Sequence, residues 1–189
     1  MKRLAVLNVV GLTKGLLADK LPQMQSFAAE QETTSFTPAF PAVTTTAQAT
    51  YLTGRSPGEH GIVGNGWFER EDAEVRFWKQ SNHLVRGEKL WEAVARERQG
   101  FRCAKMFWWY NMYSSADWSV TPRPMYPADG RKVFDVYAHP PGLRDNLVNE
   151  LGEFPFPSFW GPRAGLPSSQ WIADSARWIE EREQPDLNL

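Results

Sequence analysis

Three consecutive threonines, Thr44, Thr45 and Thr46, open a segment that we predict to be helical as far as Leu52, with Gly54 as its end. The first turn of a helix has free backbone N–H groups and the positive end of the helix dipole, and both favour a bound anion such as a phosphoryl group. A threonine hydroxyl placed there could attack phosphorus, but it needs a base or a metal ion to ionise it. The alternative is that one threonine simply caps the helix, and residue type alone favours this interpretation.

The predicted helix belongs to a longer block, residues 40–67, that is rich in small and hydroxylated residues. The block ends in four glycines, which are Gly54, Gly61, Gly64 and Gly66. Because glycine allows backbone groups to come close together, such a block is typical of a site for an anionic group.

The block resembles the nucleophile region of the type I phosphodiesterases and nucleotide pyrophosphatases, which belong to the alkaline phosphatase superfamily. The similarity lies in a helix-opening threonine, nine further residues, Gly54 and then the segment RSPGEHGIVGN. The later segment GEKLWEAVARERQGFRCAKMFWW resembles the helix and the tryptophan-bearing strand that follow in this family. The resemblance covers most of residues 1–110, and residues 44–65 are its most specific part.

This resemblance implies a hydrolase that cleaves phosphodiester or pyrophosphate bonds of a small phosphorylated substrate through a covalent phospho-threonine. Counting back from Thr53 and Gly54, Thr44 falls on the family's nucleophile, and by the same implication it is a metal ligand. The implied cofactors are two divalent metal ions, commonly zinc, which would clamp the attacking and leaving oxygens of the displacement.

Two positions depart from the family's pattern. Val10 stands where the family usually has a metal-ligating aspartate, and Ala47 stands where it has an asparagine that holds a phosphate oxygen. Asn8 lies on the same face of the predicted strand as Val10, but an amide replaces a carboxylate poorly at zinc, so we interpret Asn8 as a buried hydrogen-bonding residue. We expect most metal ligands beyond Leu189, and we therefore expect residues 1–189 alone to be inactive.

The other chemically active side chains have structural interpretations. His60 is predicted to be a turn residue, and His83 and His139 are isolated in predicted loops. Cys103 is the only cysteine, and its apolar neighbours predict a buried thiol that forms no internal disulfide. The aromatic residues at 108–110 could stack on the ring of a ligand, and packing in the core is at least as compatible with their position.

The composition favours a protein that binds neither a nucleic-acid polymer nor a membrane. The formal net charge is −1, from 21 basic and 22 acidic residues, and no basic run is flanked by aromatic residues. No segment has the apolar length of a membrane span, and the N-terminal apolar run lacks the cleavage site of a signal peptide. We therefore expect a cytoplasmic protein, and the sequence leaves its oligomeric state open.

Apolar patterns predict the elements that would position the block. The run Leu4–Val10 is predicted to be a central parallel strand that is buried on both faces. Residues 90–98 and 102–110 are predicted to be a helix and a strand which, with the strand before them, form a βαβ unit. Further helices are expected at 12–19 with Thr13 as the cap, at 24–30, at 143–151 and from about Ser168, and further strands at 61–68, at 75–78 and in the C-terminal segment QPDLNL.

These elements predict an α/β fold, a three-layer sandwich with a mainly parallel central sheet, which the resemblance identifies as alkaline phosphatase-like. Residues 1–189 are expected to be the N-terminal part of a single domain, with an irregular insertion rich in aromatic residues and proline at about 111–142. Two other functions stay open. One is a non-catalytic relative that binds a phosphorylated ligand or a protein partner, and the other is a metal-dependent transferase or mutase of the same superfamily.

Overall fold

The computed structural model of the protein describes residues 3–189, apart from the side chains at positions 18 and 19. Its strands are β1 (Leu4–Ala5), β2 (Gly66–Glu69), β3 (Glu74–Phe77), β4 (Cys103–Met106), β5 (Trp118–Pro122), β6 (Val136–His139) and β7 (Leu187–Asn188). Its helices are α1 (Lys14–Lys20), α2 (Pro22–Ala29), α3 (Thr44–Thr53), α4 (Pro57–His60), α5 (Leu90–Glu97), α6 (Leu143–Leu151) and α7 (Leu166–Arg182).

Five of the strands form one central sheet in the order β1-β7-β4-β5-β6. The pairs β1–β7, β7–β4 and β4–β5 are parallel, and β6 runs antiparallel to β5. The strands β2 and β3 form a separate antiparallel hairpin with Gly66 opposite Phe77. The central sheet is therefore mainly parallel, as the sequence predicts.

Helices cover both faces of this sheet, which gives the predicted three layers. On one face, α6 and α7 pack through Leu143, Leu147 and Trp171 on Ala104 and Met106 of β4 and on Trp118 and Val120 of β5. On the other face, Leu52 of α3 and Trp91 of α5 pack with Cys103 and the strand β7. No helix in residues 3–189 is long and apolar enough to cross a lipid bilayer.

Most of the predicted helices are confirmed, because their apolar positions recur at helical spacing and bury one face. The helix α5 begins at Leu90 as predicted, and Thr13 caps α1 by accepting a hydrogen bond from the Leu16 N–H at 3.3 Å. Along α7, the buried residues Trp171, Ser175 and Ile179 lie on one stripe. The C-terminal segment forms β7, also as predicted.

The prediction of a central N-terminal strand is wrong. The strand β1 has only two residues, lies at the edge of the sheet and pairs only with β7. Leu7 is 83% exposed and Val10 is 70% exposed, and Asn8 is exposed as well, so Asn8 is not the buried residue that the sequence suggests. The apolar run is compatible with a central strand, but no described element covers it, and α2 buries no residue.

The predicted βαβ unit and the predicted long strand are also wrong. The strand β3, which precedes α5, belongs to the separate hairpin and therefore does not share a sheet with β4. The strand β4 ends at Met106 because Phe107 and Tyr110 adopt φ angles of 63° and 56°, a left-handed conformation that a strand cannot continue through. In the same way, the strand expected at 61–68 is shortened to β2, because α4 ends at His60 and Gly61 follows it with φ 83°.

The segment at about 111–142 is not irregular throughout. It contributes β5 and β6 to the central sheet, and all five residues of β5 are buried. The strand β5 has the sequence WSVTP, in which Trp118 and Val120 face the α6–α7 side of the sheet. The prolines around these strands hide a pattern that is too short to stand out in the sequence.

We predict that Leu147→Ala destabilises the protein by about 2–5 kcal/mol, because Leu147 is fully buried between α6 and the sheet and its removal leaves a cavity. Chemical denaturation followed by tryptophan fluorescence measures the change. Leu166→Ala is the matched control, because Leu166 is 74% exposed and its loss should change stability by less than about 0.5 kcal/mol. Equal effects of the two substitutions would contradict the assignment of this core.

Candidate functional site

The start of α3 is capped from outside the helix. Val43 occupies the position before the first turn and makes no side-chain cap, so Thr44, Thr45 and Thr46 are the first three helical residues. The backbone N–H of Thr45 donates instead to Oδ1 of Asn65, at 3.2 Å, from the loop before β2. The capping interpretation of the threonines is therefore wrong, because the side chain of Asn65 performs that role.

The hydroxyl of Thr45 also binds the loop before β2. Its Oγ1 lies 2.8 Å from the carbonyl oxygen of Gly64 and 3.0 Å from Oδ1 of Asn65, and its single proton can serve either acceptor. Thr45 is fully buried. The loop that contains Gly64 and Asn65 is thus held directly against the first turn of α3.

Thr44 is left with a free hydroxyl at this helix end. Its side chain is half-buried, and no hydrogen bond joins it to any residue in the described part of the chain. The backbone N–H groups of Thr44 and Thr46 have no carbonyl partner one turn earlier, since the first intrahelical bond runs from Ala47 to Val43 at 2.9 Å. A hydroxyl beside two free backbone donors is an arrangement that can receive an anion.

The side-chain amide of Asn65 is a further donor at this helix end, which the sequence does not predict. Its Oδ1 is occupied by Thr45, so its Nδ2 amide is the end that remains available, and it has no hydrogen-bond partner among residues 3–189. Ala47 stands where the family's pattern has an asparagine, so position 47 has no side-chain amide. Asn65, twenty residues after Thr45, places a side-chain amide at the start of α3 instead. The neighbouring glycines, Gly64 and Gly66, were the signal in the sequence, because they allow the loop to approach the helix.

The middle of α3 is anchored on the segment that follows β4. Oε1 of Gln48 accepts a 2.7 Å hydrogen bond from the backbone N–H of Trp109, and Ala49 packs against Trp109 and Tyr110. Trp108, Trp109 and Tyr110 are all at most 5% exposed. These aromatic residues pack in the core and have no face available for stacking on a ligand.

His60 is a buried structural residue. Its Nδ1 accepts a 3.1 Å hydrogen bond from the Ile62 N–H, and its Nε2 lies 3.0 Å from the hydroxyl of Thr50 on α3. The ring is therefore a neutral imidazole with its proton on Nε2, and burial lowers its pKa from the usual value. Both nitrogens are engaged, so His60 is neither a base nor a metal ligand here.

The remaining candidates lie elsewhere. His83 and His139 are exposed, and neither joins a group of other ligand side chains. Burial raises the pKa of the Cys103 thiol to about 12, so this residue is not a thiolate nucleophile at neutral pH. Asp117 accepts the backbone N–H of Cys103 at 2.8 Å, and Asp135 pairs with Arg144 at 2.7 Å, so both carboxylates have structural partners.

The described residues do not fit a site for two metal ions. Residues 3–189 contain no group of three or more His, Cys, Asp or Glu side chains that could hold a metal ion. Val10 has no donor atom in its side chain, Asn8 is exposed, and the donors at the start of α3 are a hydroxyl and N–H groups. A zinc site needs three or four nitrogen, sulfur or carboxylate ligands, and Thr44 alone does not supply them.

We predict that Asn65→Ala destabilises the protein by about 1 kcal/mol, because the Thr45 N–H loses its acceptor. Urea denaturation measures the loss. Asn65→Asp is the control, since it keeps the acceptor oxygen and adds a negative charge that the helix dipole favours, and it should retain wild-type stability. A full loss of stability in Asn65→Asp would show that Oδ1 is not the group that matters.

We also predict that His60 makes stability depend on pH. Its folded-state pKa lies below the usual 6.5, so the unfolded chain binds more protons in that range and stability falls as the pH drops from about 6.5 towards the folded-state pKa. Denaturation midpoints at pH 7.5, 6.5 and 5.5 should decline for the wild-type protein, and they should decline less for His60→Gln. The same slope in both proteins would contradict this assignment.

Comparison with known proteins agrees with the α/β fold. No curated protein matches the chain. The family model described as type I phosphodiesterase / nucleotide pyrophosphatase matches residues 4–189, which is almost the entire chain. The match extends well beyond the block around Thr44 and includes the strands β4 to β7 and the helices α6 and α7. The chain therefore belongs to the type I phosphodiesterase / nucleotide pyrophosphatase family.

Proposed function

We propose that the protein hydrolyses phosphodiester or pyrophosphate bonds of a small phosphorylated substrate, with Thr44 as the nucleophile. The observation that carries this proposal is that the residue that caps α3 and the residue with a free hydroxyl at its start are different residues. Asn65 caps the helix, and so the Thr44 hydroxyl remains free beside unpaired backbone donors. Membership of the family supports the same type of reaction.

Each group at this helix end has a role in the proposed reaction. The N–H group of Thr44 and the Nδ2 amide of Asn65 donate to the non-bridging oxygens of the phosphoryl group, where negative charge develops. Oγ1 of Thr44 attacks phosphorus, the bond from phosphorus to the leaving oxygen breaks, and a phosphoryl ester of Thr44 forms. Water then cleaves this ester, which releases the second product and restores the hydroxyl.

The proton of the Thr44 hydroxyl must leave before or during attack. His60, the imidazole nearest in sequence, is buried with both nitrogens bonded and cannot accept it. We propose from family membership that two divalent metal ions, zinc first among the candidates, would bind with Thr44 as one ligand and would lower the pKa of its hydroxyl. The described residues do not provide the other ligands.

A second function is favoured by two specific observations. Val10 is apolar and exposed where a metal-ligating aspartate is expected, and the described part of the chain has no cluster of metal-binding side chains. A relative that binds a phosphorylated ligand without turnover would keep the anion-binding end of α3 and dispense with these ligands. Binding of a phosphomonoester without hydrolysis, by the complete gene product with zinc present, would favour this alternative.

The setting of the reaction is also proposed. We propose a cytoplasmic location. We also infer a small soluble substrate, because the net charge of −1 and the absence of a basic run offer no attraction for a nucleic acid or an anionic surface.

We predict that Thr44→Ala lowers hydrolysis of bis(4-nitrophenyl) phosphate by about a thousandfold or more, because the nucleophile is removed. Thr44→Ser keeps a hydroxyl on the same helix end and should retain most of the activity. Nitrophenolate release by the complete gene product, at saturating zinc, measures both.

The matched control is Thr53→Ala, at the other end of the same helix, where the hydroxyl bonds only the carbonyl oxygen of Ala49 and the backbone N–H of Arg55. This variant should hydrolyse the substrate at the wild-type rate. Equal rates for Thr44→Ala and the wild-type protein would rule out Thr44 as the nucleophile.

A further inference from the structure

The strand β4 contains a fully buried lysine. Lys105 is 0% exposed, and it alternates with Ala104 and Met106, which face α6 and α7, so its side chain lies on the α3–α5 side of the sheet with Cys103. Lysine is almost never fully buried unless a carboxylate or a set of acceptors compensates its charge.

Few contacts compensate the Lys105 amine for the hydration that it loses on burial. Its Nζ lies 3.4 Å from the carbonyl oxygen of Tyr110 and 4.5 Å from the ring centre of Trp91. No carboxylate within residues 3–189 forms an ion pair with it. One long hydrogen bond and one aromatic face are weak substitutes for the hydration that the ammonium loses.

The titratable groups that face Lys105 do not neutralise it. They are Cys103 on the same strand, and Lys89 and Glu92 at the start of α5. The Glu92 carboxylate already accepts hydrogen bonds from the Lys89 N–H at 2.9 Å and from the Ser115 hydroxyl at 2.7 Å. Lys89 carries the same charge as Lys105, and Cys103 is an uncharged thiol at neutral pH. Burial is the main reason that the pKa of Lys105 is lowered to about 7.

The carbonyl oxygen of Tyr110, which accepts the Lys105 hydrogen bond, belongs to a segment that also contacts α3. We call residues 107–111, which follow β4, the β4 corner. Within it, the Trp109 N–H donates to Gln48 on α3, and Trp109 and Tyr110 pack against Ala49 of α3. The Tyr110 carbonyl oxygen also accepts a 3.0 Å hydrogen bond from Asn82. Movement of the β4 corner would therefore move the contacts that fix the first half of α3.

The geometry points to Lys105 as a proton-sensitive positioning residue: when its buried amine is protonated, the β4 corner opens to hydrate it, and the Thr44 end of α3 is held less firmly. That this helix end is the working end of the protein rests on the proposed function. The coupling between Lys105 and α3 does not, because it follows from contacts that are independent of any substrate.

The direction of the pH effect follows from the two states of the amine. In the open form the amine is in water, where a lysine has a pKa of about 10.4. Between pH 7 and that value the open form binds more protons than the closed form, so the free energy of opening rises with pH. Below pH 7 both forms are protonated, and the corner is at its loosest.

Amide hydrogen exchange of the 189-residue chain between pH 6 and 9, corrected for intrinsic exchange, tests the inference without a substrate. In the wild-type protein, protection of residues 44–53 and 107–111 should be constant below pH 7 and rise by up to about tenfold per pH unit above it. Lys105→Met should remove this rise, because an apolar side chain of similar length has no charge to hydrate. Lys132→Met, at an exposed lysine, is the control and should behave like the wild-type protein.

Three results would overturn the inference. They are a rise that persists in Lys105→Met, no rise in the wild-type protein, and an equal rise in α6 and α7, which would assign Lys105 to global stability alone. Gln48→Met tests the connection from the side of the helix and does not alter the buried lysine. The rise should then remain in residues 107–111 and disappear from residues 44–53, and a rise retained in both segments would contradict the route through Trp109.

Discussion

The hydrogen bond from the Thr45 N–H to Oδ1 of Asn65 sets the arrangement of the polar groups at the start of α3. This bond satisfies a donor that helices usually satisfy with their own first residue, and it brings the loop before β2 onto the first turn of α3. Two consequences follow from it. The Thr44 hydroxyl has no structural task, and the Asn65 amide is carried to the helix end with its Nδ2 directed away from Thr45. An unbonded hydroxyl and an unbonded amide donor at the start of α3 thus both follow from the same bond.

Contacts with the central sheet and with the segment after β4 fix the position of α3. Leu52 packs with Trp91 and the strand β7, and Gln48 binds the backbone of the β4 corner, so the helix is fixed to the sheet and to the segment at the end of β4. The opposite face is closed by α6, α7 and an aromatic cluster that includes Phe154 and Trp171 at 5.3 Å between ring centres. Five of the nine tryptophans, Trp91, Trp108, Trp109, Trp118 and Trp171, are buried and therefore serve packing.

The sequence predicts the parts of this arrangement that local patterns control. The helices α5, α6 and α7 bury one face each, and α3 begins at Thr44, where the threonine-rich block predicts a helix start. It does not predict features that depend on distant neighbours. An apolar run reads as a central strand wherever it lies, but β1 is an edge strand because only β7 pairs with it. The role of Asn65 depends on a loop folding back over twenty residues, and the burial of Lys105 depends on Trp91 of α5 covering it.

In the proposed reaction the phosphoryl group is transferred to Thr44. Detection of the covalent adduct on this residue is the most direct test. The complete gene product would be mixed with bis(4-nitrophenyl) phosphate and zinc, quenched in acid within milliseconds to seconds, digested and analysed by mass spectrometry. We expect a nitrophenyl-phosphoryl group on the peptide that contains Thr44, formed with release of one nitrophenol and absent in Thr44→Ala. An adduct on another residue, or hydrolysis at the wild-type rate with no adduct at any quench time, would contradict it.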